Sequence, residues 1–260
     1  MRLTGERPLE GATPDSLLAF HDAGYREVIA RLGTGRVLDV GCGMGDETVR
    51  LAGANREVVG VDYSPETALD AASSFGGADQ WFLAMDGSEL GFAPKAFDAV
   101  CSSHIIEHLS APEAHVAELA RVLRPDGDAF VITPNRPADF ENPFHVYLFE
   151  PPELDSLLRV FFDEVEVLGL EGSTQLHADF AARRASGERL LRLDVLGLRK
   201  KLPRSWYVFG YERALPIVYD LLGTDRTGIG SGIDASHFFV TDSIESTTPG
   251  LFAIARSPRR

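Results

Sequence analysis

Three acidic residues stand at or near the ends of apolar runs: Asp39 in Val37-Leu38-Asp39-Val40, Asp62 after Val58-Val59-Gly60-Val61, and Asp86 after Phe82-Leu83-Ala84-Met85. Such runs read as buried strands. Acids at the ends of neighbouring strands line the crevice where open α/β sheets hold ligands. A carboxylate there accepts hydrogen bonds from ribose hydroxyls or an adenine amino group, and it also suits a cation. Between the first two acids lie Gly41, Gly43 and Gly45. Alternate glycines at a strand-to-helix turn let a ligand approach bare backbone N–H groups. Further on come His104, His108 and His145, and histidine is the side chain best suited to take a proton at neutral pH. Together these residues describe a nucleotide seat with a proton acceptor beside it.

The glycine spacing narrows the nucleotide. A dinucleotide fingerprint needs glycine at its first, third and sixth positions; counted from Gly41, the sixth position is Asp46. Asp39, two residues before the first glycine, would set an anion against a pyrophosphate. A phosphate-free, cationic nucleotide fits better, and S-adenosylmethionine carries both an ammonium and a sulfonium. Asp62 lies 21 residues after Gly41, near the spacing at which an acid takes the ribose. Each acid also has a local reading: Asp39 could cap a turn, and Asp62, before Tyr63-Ser64-Pro65, could serve turn chemistry. Cys42 reads as a small buried residue, since no base is placed to make it a nucleophile.

The elements that must position these residues alternate. Thr13-Pro14-Asp15 reads as a helix start with Thr13 as N-cap, and Leu17, Leu18, His21, Tyr25, Val28, Ile29 and Leu32 recur at helical spacing. Strands are expected from Arg36, at 57–62, 80–86, 97–101, 128–133 and 162–168, and last at 250–256. Helices are expected over 46–52, from Ser64-Pro65-Glu66, over 112–123 and over 151–160. Arg124-Pro125-Asp126-Gly127 reads as a tight turn. The fold class is therefore α/β: a Rossmann-like, doubly wound, mostly parallel seven-stranded sheet. Residues 177–233 break the alternation and read as a helical insertion before the last strand, a lid or dimer face. The main domain is then 1–176 with 234–260.

Composition excludes several classes. The chain has 260 residues and a net charge of -14, which repels nucleic acid phosphates. No apolar run is long enough to span a membrane, and Met1 to Arg7 lacks a signal-peptide core. Two cysteines read as reduced, so the expected compartment is cytoplasmic. Between Arg183 and Arg204, eight basic residues oppose only Glu188 and Asp194. That segment could meet an anionic or lipid-linked acceptor, or a membrane surface; solvated arginines on a lid or a homodimer face are the plainer reading. No metal site is expected, because only Glu107, His108 and scattered acids offer ligands and none shows ligand spacing.

The chain resembles the class I S-adenosylmethionine-dependent methyltransferases. The resemblance is carried by Val37 to Gly45, Val59-Gly60-Val61-Asp62-Tyr63-Ser64, Ala84-Met85-Asp86-Gly87, Phe97-Asp98-Ala99-Val100, Ile106-Glu107-His108-Leu109 and Arg121 to Gly127, in family order over residues 36–134. It implies that Gly41 and Gly43 pack on the cofactor's amino-acid portion, Asp62 binds the ribose, and Asp86 the adenine end. Tyr63 and Gly87 join that set, and Ser102 and Ser103 lie beside the methionine portion. Leu3 to Pro8, Thr133-Pro134-Asn135-Arg136 and Asn142-Pro143-Phe144-His145 look like a subgroup, the sugar O-methyltransferases of methylated polysaccharide biosynthesis. The expected reaction is methyl transfer to a hydroxyl of a saccharide or glycosylated small molecule, with a phenolic or quinone-like acceptor, or a non-catalytic cofactor-binding role, as alternatives. In-line transfer to an alcohol needs a base. His145, in the loop after the fifth strand, is the preferred one. His108 is the second catalytic candidate, though Glu107-His108 also reads as support for the cofactor or its loop.

Overall fold

The computed structural model describes residues 13–53, 55–139, 144–191 and 232–259. Eight strands form one sheet: β1 Gly35–Val40, β2 Arg56–Asp62, β3 Gln80–Ala84, β4 Phe97–Ser103, β5 Leu123–Pro134, β6 Phe162–Gly172, β7 Phe238–Thr241 and β8 Gly250–Pro258. Their order is β3-β2-β1-β4-β5-β8-β6-β7. The first five pair in parallel, whereas β8 runs antiparallel to both β5 and β6, and β7 antiparallel to β6. The expected α/β class stands, with eight strands in place of seven. The extra strand, β7, has four residues with Phe238 buried and Phe239 exposed, too short for its alternation to register in sequence. The segment expected as an insertion thus precedes two strands rather than one.

Helices cover both faces: α1 Asp15–Arg31, α2 Thr48–Leu51, α3 Pro65–Phe75, α4 Pro112–Val122, α5 Pro151–Phe161 and α6 Thr174–Leu191. Alternate strand residues feed two cores, because side chains along a strand point to opposite faces. Leu38 and Val40 of β1 join Val59, Val61 and Val100 beneath α4 and α5. Val37 joins Val58, Cys101 and Ile132 beneath α1. By this alternation Asp39 shares the α1 face with Val37.

Local signals were mostly kept. Ser64 caps α3, its Oγ accepting from the Thr67 N–H at 3.3 Å, with proline at the first turn. Thr13 does not cap α1: Pro14 occupies that position, and its carbonyl accepts from the N–H groups of Leu17 and Leu18. Residues 124–127 are a bulge inside β5 rather than a separate turn, since Phe97 pairs with Leu123 while Ala99 pairs with Asp128. The buried face of α1 is Ser16, Ala19, Phe20, Ala23, Gly24, Tyr25 and Val28; Leu17 of the expected stripe is exposed. Residues 1–12, including Leu3 to Pro8, Asn142-Pro143 and 192–231 of the expected insertion lie outside the described residues. What is described at the start of that segment is helix α6. No described helix is long and apolar enough to cross a membrane.

Candidate active site

The carboxyl ends of β1, β2 and β4, the turn after β3 and the cavity-facing side of α1 enclose a cavity of about 760 Å³. The glycine turn forms its floor. Gly41 and Cys42 donate their N–H groups to the Val61 carbonyl at 2.7 and 2.9 Å, which ties the turn to β2. Gly41, Gly43 and Gly45 all have positive φ, at 84°, 53° and 87°, backbone that side chains other than glycine rarely adopt. A Cβ on Gly41 would lie 2.1 Å from Ile105 Cδ1, while one on Gly43 would meet nothing within 4 Å. Gly41 therefore makes room for the protein, and Gly43 leaves room for a ligand.

Asp62 and Asp86 both line this cavity. Each also orders its own turn: Asp62 Oδ1 accepts from the Ser64 N–H at 2.9 Å, and Asp86 Oδ1 from the Ser88 N–H at 2.8 Å. Turn chemistry and ligand presentation are thus one arrangement, because the turn bond fixes where the carboxylate faces. Tyr63, Gly87 and Ser103 line the cavity as well. Tyr63 is exposed at its rim, and the buried Ser103 hydroxyl has no hydrogen-bond partner.

Two expected cofactor residues are elsewhere. Asp39 is absent from the cavity wall; it is fully buried and accepts from Thr48 Oγ1 at 2.6 Å and from the Tyr25 hydroxyl at 3.1 and 3.2 Å. Strand alternation turns it toward α1, so it ties α1 and α2 together around the glycine turn. Burial raises its carboxyl from 3.8 to about 6. Ser102 also lies behind the wall, its Oγ 2.8 Å from His115 Nε2. His115 Nδ1 must donate to the Gly87 carbonyl at 2.8 Å, so Nε2 accepts the serine proton. This relay ties β4 to the Asp86-Gly87 turn. In the sequence His115 looks like any mid-helix polar residue, so nothing local marks its role.

The helix α1 contributes more than expected. Leu18, His21, Asp22 and Tyr25 line the cavity, at the edge of the helix's buried stripe, to which Tyr25 itself belongs. Arg50 bridges Asp22 and Glu47 at the rim. From after α6, Ile233, Asp234 and Ala235 close the far wall; Arg26 of α1 holds that turn through the carbonyls of Ala235 and Phe238. Their signal in sequence was lacking, since nothing local marks a residue that reaches the site from the far edge of the sheet.

At the mouth four histidines gather. His104, with φ 56°, stacks against His21 at 4.0 Å between ring centroids. Burial lowers His104 to about 3 and His21 well below its usual value, so both are neutral. His108 lines the cavity, whereas His145 does not; its ring lies 5.2 Å from that of His108. The loop after β5 is laid on the 3₁₀ turn Ile106–His108: Val146 and Tyr147 donate to the Glu107 carbonyl, and His108 Nδ1 to the Phe144 carbonyl at 3.1 Å. Asp139 Oδ2 lies 2.9 Å from His145 Nδ1. Glu107, His108 and His145 each place one ligand atom within 4.8 Å of the others, a grouping their sequence separation hid.

The topology and the ligand crevice at the strand ends define a Rossmann-like methyltransferase fold. An S-adenosylmethionine-dependent methyltransferase of Thermotoga maritima, described as a possible histamine N-methyltransferase, shares it with a TM-score of 0.58 at 15% identity, over 93% of this chain and 91% of that one. Residues 38–131 match the family model described as a methyltransferase domain. A probable S-adenosylmethionine-dependent methyltransferase of Mycolicibacterium smegmatis is 33% identical over 172 residues, 63% of this chain and 66% of that protein. A ubiquinone biosynthesis O-methyltransferase of Mesorhizobium japonicum is 34% identical over 104 residues, 39% of this chain and 41% of that protein. The chain thus spans just under two thirds of the first relative and less of the second. Residues 38–131 match a methyltransferase domain, and the chain is similar to S-adenosylmethionine-dependent methyltransferases.

Proposed function

We propose that the protein transfers a methyl group from S-adenosylmethionine to a hydroxyl of a saccharide or glycosylated small molecule. The cofactor is to lie over Gly41 and Gly43, with Asp62 on the ribose and Asp86 on the adenine end; Tyr63, Gly87 and Ser103 complete that seat. Its ammonium and sulfonium suit a cavity whose wall carries Asp15, Asp22, Asp46, Glu47, Asp62, Asp86 and Asp234 against the single cation Arg50, among the described residues.

The observation that carries the acceptor reading is the polarity of the mouth. The described aromatic residues of the loop after β5 do not line it. Phe144 and Phe149 are buried, Tyr147 packs on Phe149 at 4.7 Å, and none of the three lines the cavity. Imidazoles and carboxylates are left to meet the acceptor, which suits a polyol, and the acid excess argues against an anionic one. A phenolic or quinone-like acceptor is the second reading, favoured by the likeness to a ubiquinone biosynthesis O-methyltransferase. Methyl transfer inverts at carbon while the acceptor oxygen loses its proton. Without a bound ion, His145, oriented by Asp139 through Nδ1, serves as the proton acceptor for a hydroxyl that enters the mouth beside His108.

A labelled-methyl transfer screen over free sugars, glycolipids and phenols, read by mass spectrometry, tests this reading. Label in a sugar hydroxyl is expected; label in phenols alone would replace it with the second reading. His145→Ala is expected to lower turnover by about 10²-fold or more while S-adenosylhomocysteine still binds. Turnover equal to the parent's would remove His145 as the base.

A further inference from the structure

We propose that Glu107, His108 and His145 form a binding site for a divalent transition-metal ion at the mouth of the cavity. Each places a potential ligand atom within 4.8 Å of the other two. A tetrahedral ion with bonds of about 2.1 Å holds its ligands roughly 3.4 Å apart, so the cluster needs to close by little more than an ångström.

The tautomers suit this use. A carbonyl oxygen only accepts, so His108 Nδ1 carries the proton it donates to Phe144, and Nε2 holds the lone pair. The Asp139 carboxylate fixes His145 in the same way through Nδ1. A carboxylate or carbonyl behind each imidazole is the arrangement that orients metal-binding histidines.

Glu107 supplies an independent observation. It is fully buried, Thr133 Oγ1 donates to its Oε2 at 3.1 Å, and its Oε1 has no hydrogen-bond partner. His104 Nδ1 stands 3.4 Å from that oxygen, outside hydrogen-bond geometry. A buried carboxylate oxygen left without a donor is costly, and a cation relieves it. One carboxylate with two imidazoles favours zinc, cobalt or manganese over calcium or magnesium, which prefer all-oxygen surroundings.

The use of the ion rests on the hydroxyl-methylation reading. Three protein ligands leave positions open for oxygens of the acceptor, and a metal-bound hydroxyl gives its proton to solvent more readily. With the ion in place His145 is a ligand, and the ion's charge does the work otherwise assigned to a base.

The test uses the tag-free full chain, stripped with chelator and titrated with Zn²⁺ by calorimetry and with Co²⁺ by visible absorption. One ion per chain is expected, with tetrahedral or five-coordinate cobalt bands. His108→Ala, His145→Ala and Glu107→Gln should each weaken uptake at least tenfold, and Asp139→Asn by about 10- to 100-fold. Circular dichroism and S-adenosylhomocysteine titration of each variant separate loss of the site from loss of the fold. His145→Ala, in the loop after β5 rather than in the sheet core, keeps the test open if Glu107→Gln does not fold. No stoichiometric uptake by the parent, or equal uptake by parent and His145→Ala, would overturn the proposal. Ion uptake without S-adenosylhomocysteine binding would instead sink the methyltransfer reading and leave the metal site standing.

Discussion

Replacing Asp39 with asparagine tests whether this acid is a scaffold group or a cofactor ligand. Its carboxylate is fully buried, and burial raises it from 3.8 to about 6 despite hydrogen bonds from Thr48 and Tyr25, with the nearby Asp46 also raising it. At about 1.36 kcal/mol per unit the shift is worth roughly 3 kcal/mol. The sign follows from the direction. The folded protein holds this proton more tightly than the unfolded chain, so the stability contributed is full below pH 3.8 and is lost as pH rises through about 6. Asparagine is neutral at every pH, and both hydroxyls can reverse to accept from its amide. Urea unfolding at a series of pH values should therefore show the variant gaining on the parent by up to about 3 kcal/mol between acid and neutral pH. Glu47 is raised to about 7, first by burial, but it is present in both proteins and cancels in the difference. S-adenosylhomocysteine affinity should change little. Parallel stability curves would refute the burial argument, and a large loss of affinity would restore Asp39 as a ligand.

Asp62→Ala should lose S-adenosylhomocysteine binding by about 10²-fold or more, since it removes a charge-assisted acceptor and its turn bond together; unchanged affinity in calorimetry would sink the cofactor seat. Gly41→Ala places a methyl 2.1 Å from Ile105 Cδ1 at a φ of 84°, so a melting experiment should show a loss of roughly 1–3 kcal/mol. Gly43→Ala has the open space that Gly41→Ala lacks, so it should weaken cofactor binding more than it weakens the fold. Equal effects at the two glycines would contradict the division between them.

Much of the fold was legible because its signals are local. Apolar runs of a few residues, a serine followed by proline, and glycines at a turn need only their neighbours to be read, and β1 to β6, α3 to α5 and the glycine turn follow from them. Asp62, Tyr63, Asp86, Gly87 and Ser103 could be placed at the cavity because the crevice of an open α/β sheet lies beyond the carboxyl ends of its strands. The four-residue β7 escaped because it is held by pairing with Gly169–Gly172 and by Arg26 and Phe20 of α1, partners distant in the chain.

The amino-acid sequence by itself determined the class of fold, the glycine floor and the acids that line the cavity at the strand ends. Tertiary structure alone decided the side on which each residue spends its chemistry. Alternation says that Val37 and Asp39 share a face, but only the docking of α1 makes that face a buried one, and so takes Asp39 off the cavity wall. His108 and His145 meet because the loop after β5 hydrogen-bonds to the turn at Glu107. Contacts between segments so far apart in the chain leave no local trace, since the energy that makes them exists only once the sheet has brought both ends together.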